Sequence, residues 1–192
     1  MLFLIDHLEP ELSEWIMIEY SHAAKIAGRE NLIITNVTRR RDAKMLSRVA
    51  RVDRRRAFDI FDEGDIIILD PGARYTLTPD DMKGKMAVVL GGILGDDPPR
   101  GRTESMLTRF APGVEVRNIG PHQFSVDGAV YVAKRIHGGV PLSRIPVRAG
   151  VEIELQPGHS VVLPFAYPVV NGRPFIPKAL LSYLKKPWKL NP

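Results

Sequence analysis

The chain has 192 residues, 44% of them hydrophobic and 26% charged, and no cysteine. A chain of this length buries roughly 70% of its unfolded surface, so one large domain can hold a core without metals or disulfides, and the composition excludes a disordered chain, a collagen or a coiled coil. The formal net charge is +5, yet residues 1–24 hold five acids and no Lys or Arg, which leaves +10 on the rest.

Between Arg39 and Arg56 there are nine basic residues and two acids. Such asymmetry points to a polyanion contact beside a local acidic site. The absence of cysteine removes thiolate metal sites and cysteine nucleophiles. The first residues, MLFLID, meet acid at Asp6 and do not read as a signal peptide. No apolar run approaches the ~18 residues of a membrane span. The expectation is a soluble, cytoplasmic protein. Few Asn and Gln, many Arg and sixteen Pro suggest a thermophilic source.

In chain order, FLID (3–6) predicts a first strand, and Ser13 caps a helix that runs to Ala27 and stops at Gly28. LIITN (32–36) predicts a second strand. A helix is expected over 42–58, with Met45, Val49 and Val52 on one face and Arg41, Lys44, Arg48, Arg51 and Arg55 on the other. DIIILD (65–70) and MAVVLGG (86–92) read as strands buried on both faces, and Thr78–Asp81 reads as a helix start between them. A short helix over 103–110, a strand over 114–119 and a helix over 126–136 follow. The alternation predicts an α/β fold: a mostly parallel sheet with helices on both faces. After Pro141 the pattern shifts to short strands (151–155 and 160–165), a turn at 170–173, a helix from Pro177 through Tyr183, and a basic tail with Lys185, Lys186 and Lys189. One domain, 1–192, with a C-terminal extension from about 151, is the expected organisation.

Three loops carry the candidate chemistry. The first, Leu90-Gly91-Gly92-Ile93-Leu94-Gly95-Asp96-Asp97-Pro98-Pro99-Arg100, follows a strand directly. In parallel sheets ligands bind beyond the carboxyl ends of strands, and glycine there lets backbone approach a ligand closely. It is neither a G-x-G-x-x-G fingerprint nor a P-loop. The second, Asn118-Ile119-Gly120-Pro121-His122-Gln123-Phe124-Ser125, joins a strand to a helix, and its Ser125 also suits a helix cap. The third is Pro141–Val147, stiffened by proline. The five histidines show no H-x-x-x-H spacing, so no metal site is expected.

Together these loops resemble the SPOUT class of S-adenosylmethionine-dependent methyltransferases, and more closely an archaeal and fungal branch that includes a yeast ribosomal-protein arginine methyltransferase. The matching stretches are EPELSEWIMIEYS (9–21), Leu69-Asp70-Pro71, GGILGDDPPRGRT (91–103), NIGPHQFSVDGAV (118–130), PLSRIPV (141–147) and 163–186. The Arg-rich segment 39–56 is not part of the match.

The resemblance implies a C-terminal trefoil knot whose loops hold S-adenosylmethionine, without a metal. It implies a cofactor site of Leu90, Gly91, Gly92, Ile93, Leu94 and Gly95 in the first loop. Asn118, Ile119, Gly120, Gln123, Phe124 and Ser125 would come from the second, and Leu142, Ile145 and Val147 from the third. Methyl transfer needs positioning and disposal of the acceptor's proton, for which Glu14, Asp96 and Arg100 are the candidate catalytic residues. A guanidinium acceptor calls for carboxylates, and Glu9, Glu11 and Glu19 are candidates to bind it. An RNA acceptor calls for cations, which Arg48, Arg51 and Arg102 would supply. An arginine on a ribosomal protein is the preferred acceptor. The alternatives are RNA methylation and a non-catalytic ribosome- or RNA-binding module, and a homodimer is left open.

Overall fold

The computed structural model describes residues 1–186; the expected basic residue Lys189 lies outside them. Six strands form one sheet in the order β3-β2-β1-β5-β4-β6, every pairing parallel. They are β1 (Leu2–His7), β2 (Leu32–Thr35), β3 (Arg51–Val52), β4 (Ile66–Leu69), β5 (Ala87–Gly92) and β6 (Glu115–Arg117).

The apolar runs have a direct cause. Successive side chains point to opposite faces of a strand, and both faces are covered here. Phe3, Ile5, Ile34, Ile67, Leu69, Val88 and Leu90 pack under α1 (Glu14–Ala27), α2 (Arg40–Leu46) and α4 (Val126–His137). Leu4, Ile33, Ile66, Ile68, Ala87 and Val89 pack on the other side against Ala57, Leu107 and Ala111, from the short helical turns around α3 (Arg102–Met106). Ser13 caps α1 by accepting from the Ile16 amide at 3.2 Å, and Gly28 ends it at φ 94°.

Two expectations fail. The helix over 42–58 ends at Leu46: the amides of Val49 and Ala50 turn back to the Leu46 carbonyl, and Arg51–Val52 pairs with Ile33–Ile34 as an edge strand. Arg41, Lys44, Arg48, Arg51 and Arg55 therefore do not form one stripe. Asp53 accepts from the Arg55 backbone and from two nitrogens of its guanidinium, holding that side chain in a local turn. At Thr78–Asp81 the reciprocal side-chain bonds of a helix start are present, at 2.7 Å and 3.3 Å, but they close a single turn and no helix follows.

Beyond α4 the chain forms a three-stranded antiparallel sheet, β7 (Val147–Gln156), β8 (His159–Val170) and β9 (Arg173–Pro174), then α5 (Lys178–Leu184). The hairpin is longer than the sequence suggests. It packs through Val151, Leu163 and Tyr167 against Trp15 of α1 and Leu184 of α5. Its β8 also reaches the sheet end: the Ala166 amide donates to the Gln123 carbonyl at 2.8 Å, and Phe124 and Ala166 form a parallel bridge.

One consequence of the α1–α4 packing is testable. Glu19 of α1 is 2% exposed and accepts from Trp15 Nε1 at 2.7 Å and the Val126 amide at 3.0 Å. Burial, then the nearby Asp127 charge, push its pKa up to about 8 from 4.5. The native state thus holds a proton that the unfolded chain has released, and stability falls as pH rises from about 4.5 towards 8. Glu19→Gln keeps an acceptor without the charge. Denaturant midpoints against pH should be flatter across that window in the variant than in the parent.

Candidate functional site

A cavity of about 370 Å³ opens at the carboxyl ends of β4 and β5. That size falls in the range of roughly 300–1,000 Å³ usual for ligand pockets. Leu69, Asp70 and Pro71 come from the end of β4, Leu90 and Gly91 from the end of β5, Ile93, Gly95 and Asp96 from the loop after it, and Ile119, Gly120, Gln123 and Phe124 from the loop before α4. Arg100, Arg102, Thr103, Glu104 and His122 close its rim. The structure thus brings two of the three predicted loops onto one cavity.

Arg102 holds the loop after β5 in place. It pairs with Asp96 at 2.7 Å and with Glu9 at 3.1 Å, and donates to the Leu94 carbonyl. Glu9 in turn accepts from the Leu94 amide at 2.9 Å. Leu94 is fixed through both its backbone groups, and the loop is tied to the segment after β1. Gln123 adds a bond from its side-chain amide to the Asp96 carbonyl at 3.1 Å, joining the two glycine loops. A Cβ at Gly95 would sit 2.0 Å from Gln123 Nε2 and 2.6 Å from Phe165, so any side chain there would displace the Gln123 amide or the Phe165 ring from the loop.

Other predicted residues shape the walls from behind. Asn118 donates to the Ala73 carbonyl at 2.8 Å and accepts from Thr76 and the Gly120 amide, both at 3.0 Å. Ser125 caps α4 through the Gly128 amide at 3.3 Å. Leu142 and Ile145 pack in the main core, and Val147 opens β7; none of the three lines the cavity. Gly92 does not line it either. A Cβ there would stand 2.0 Å from the Tyr20 hydroxyl and 2.9 Å from Ile5, so this glycine makes room for a core tyrosine rather than for a ligand. Burial holds Tyr20 well above the usual phenol range, as a neutral partner at 3.0 Å from His7 Nδ1.

The acidic and basic candidates scatter. Glu14 is exposed and pairs with Lys186 at the end of α5, away from the cavity lining. Glu11 is exposed, Glu19 is buried between α1 and α4, and Glu9 is engaged by Arg102. Arg48 and Arg51 are exposed on the turn after α2 and on the edge strand. Two residues of the cavity were not singled out for these places from the sequence. Asp70 lines the cavity while accepting from Thr108 at 2.6 Å and the Gly72 amide at 2.8 Å; its place at the end of a buried strand was the available signal. Arg102, expected only as a cation for RNA, is the anchor of the loop.

Comparison with known proteins agrees with this geometry. The Saccharomyces cerevisiae protein arginine N-methyltransferase SFM1 is 28% identical over 202 residues, covering 97% of this chain and 95% of that one. The crystal structure of the yeast enzyme complexed with SAM superposes with a TM-score of 0.86 at 28% identity over 96% of this chain and 90% of that one. Its complex with SAH gives the same TM-score, over 96% and 94% of the two chains. The dual specific Trm10 of Thermococcus kodakaraensis shares the fold at 15% identity, with a TM-score of 0.57 over 72% of this chain and 94% of that one. Residues 2–190 match the family described as "Protein arginine N-methyltransferase SFM1-like", and the chain belongs to that family, a SPOUT-class methyltransferase dependent on S-adenosylmethionine.

Proposed function

We propose that this protein methylates an arginine of a ribosomal protein, in the cytoplasm, and that its C-terminal segment threads a trefoil knot whose loops carry the cofactor. The observation that carries the reading is the closure of the loops after β5 and before α4 on one cavity with apolar walls and carboxylates. S-adenosylmethionine suits that donor set. Leu69, Leu90, Ile93, Ile119 and Phe124 offer apolar surface for an adenine, Gly91 and Gly120 offer approachable backbone, and Asp70 offers acceptor oxygens for hydroxyl or ammonium groups. The solved complexes of the yeast relative with SAM and SAH support the same choice.

When bound, S-adenosylmethionine supplies a methyl group activated by a sulfonium. The protein's share is to hold a second cation, the guanidinium, beside it and to accept a proton from the acceptor nitrogen. With Arg102 engaged by Asp96 and Glu9, the cavity rim keeps Asp70 and Glu104 against Arg100. That balance favours a cationic acceptor over a phosphate-bearing one. Asp96 positions the loop through Arg102, and Glu14 stays outside the proposed site.

Methyl-labelled cofactor incubated with the protein and a ribosomal extract tests the reading. The expected label survives RNase, is lost to protease, and is recovered as methylarginine after hydrolysis. Label lost to RNase would make the acceptor an RNA and overturn the assignment.

A further inference from the structure

A second cavity, of about 520 Å³, lies beside the first at the carboxyl ends of β1 and β2. We propose that it binds the cationic side chain, arginine or lysine, of a basic protein segment, with Asp42 as the anionic anchor. This deepens the arginine-methyltransferase reading and rests on it.

The charge inventory of the cavity decides its ligand. Its titratable groups are His7, Glu9, Arg39, Asp42 and Arg56. Arg56 is engaged by buried Asp6 at 2.8 Å and by the Met106 carbonyl at 2.6 Å. Glu9 is engaged by Arg102 and the Leu94 amide. His7 shares its Nδ1 with the Tyr20 hydroxyl, and burial lowers its pKa despite the charges of Asp42 and Glu9, so it is neutral near pH 7.

Two charges remain, Asp42 and Arg39. Asp42 is 7% exposed and lines the cavity, yet no hydrogen bond or ion pair engages its carboxylate among the described residues. Arg39 is exposed and its guanidinium is free to turn to solvent. Asp42 is largely packed into the fold, but its carboxylate stands open to the cavity, where a cationic donor can meet it, whereas Arg39 is exposed to solvent.

The rest of the lining suits a long cationic side chain. Leu8, Pro10 and Met106 offer apolar surface for a methylene stem. The Glu9–Arg102 pair links the two linings, Glu9 in this cavity and Arg102 in the first, and α3 contributes to both, so one extended segment can reach both.

The test uses N-acetyl-arginine amide as the probe, with the isosteric neutral citrulline amide as control. Calorimetry should show the arginine probe binding the parent and binding Asp42→Asn at least tenfold more weakly, with SAH affinity unchanged. The citrulline probe should bind neither. In the parent, the His7 ring resonances should shift during the arginine titration, a readout that needs no variant. Equal binding of the probe to parent and variant, or a silent His7, overturns the proposal. Saturable binding of inorganic phosphate that Arg39→Ala abolishes also overturns it, as a phosphate site. Loss of protein methylation in the labelling experiment with probe binding intact would sink the enzyme reading and leave this site standing. Unchanged KM for the methylated protein in Asp42→Asn would sink the site alone.

Discussion

Arg102→Ala is expected to weaken S-adenosylhomocysteine binding on the order of a hundredfold, about 2.7 kcal/mol. The side chain makes two ion pairs, to Glu9 and Asp96, and a bond to the Leu94 carbonyl. Without it, Glu9 retains only the Leu94 amide, and the loop after β5 populates open forms that cannot close on the cofactor. Apparent affinity falls in proportion to the closed fraction. Arg102→Lys should restore little, because one ammonium cannot meet three acceptors arranged around a planar fork. The thermal midpoint should move little, since the loop lies outside the packed core. Calorimetry with the two variants checks this. Normal affinity in the alanine variant would mean that the loop closes without its anchor.

Arg56→Met is expected to cost the fold about 3–5 kcal/mol, as for removal of one partner of a buried ion pair. Asp6 is fully buried at the end of β1. It accepts from Arg56, from Thr35 at 2.7 Å and from the Ala57 amide at 3.2 Å. Arg56 is also stacked between Phe58 and Phe110, at 4.8 Å and 5.2 Å from their ring centroids. Most of the loss comes from the uncompensated charge left behind on Asp6. Asp6→Asn combined with Arg56→Met should recover part of it, which urea denaturation of the three variants would measure. A single Arg56→Met variant as stable as the parent would show that water reaches Asp6.

The parallel sheet was legible because strands buried on both faces have to be apolar at every position, as Ile66–Leu69 is. The cavity loops were legible through resemblance, since glycines at strand ends alone suit a turn equally well. Gly92 and Gly91 look alike in sequence, and only packing tells that one faces Tyr20 and the other the cavity. The helix expected over 42–58 failed because alternating 3- and 4-residue spacing of arginines marks solvent exposure, which an edge strand and a turn also provide. Asp6–Arg56 and Glu9–Arg102 could not be read at all: their partners stand 50 and 93 residues apart, and local patterns carry no information on such pairs.

The contact of β8 with Gln123 and Phe124 has a consequence for synthesis. The parallel sheet is complete once Arg117 has been made, but the wall behind Gly95 needs Phe165 and Ala166. A nascent chain therefore holds a finished sheet whose two glycine loops lack the backing of Phe165 and Ala166 until the hairpin emerges and docks. Chains that end before β8 are therefore expected to bind the cofactor less tightly than the full chain, although every residue that lines the cavity is already present in them.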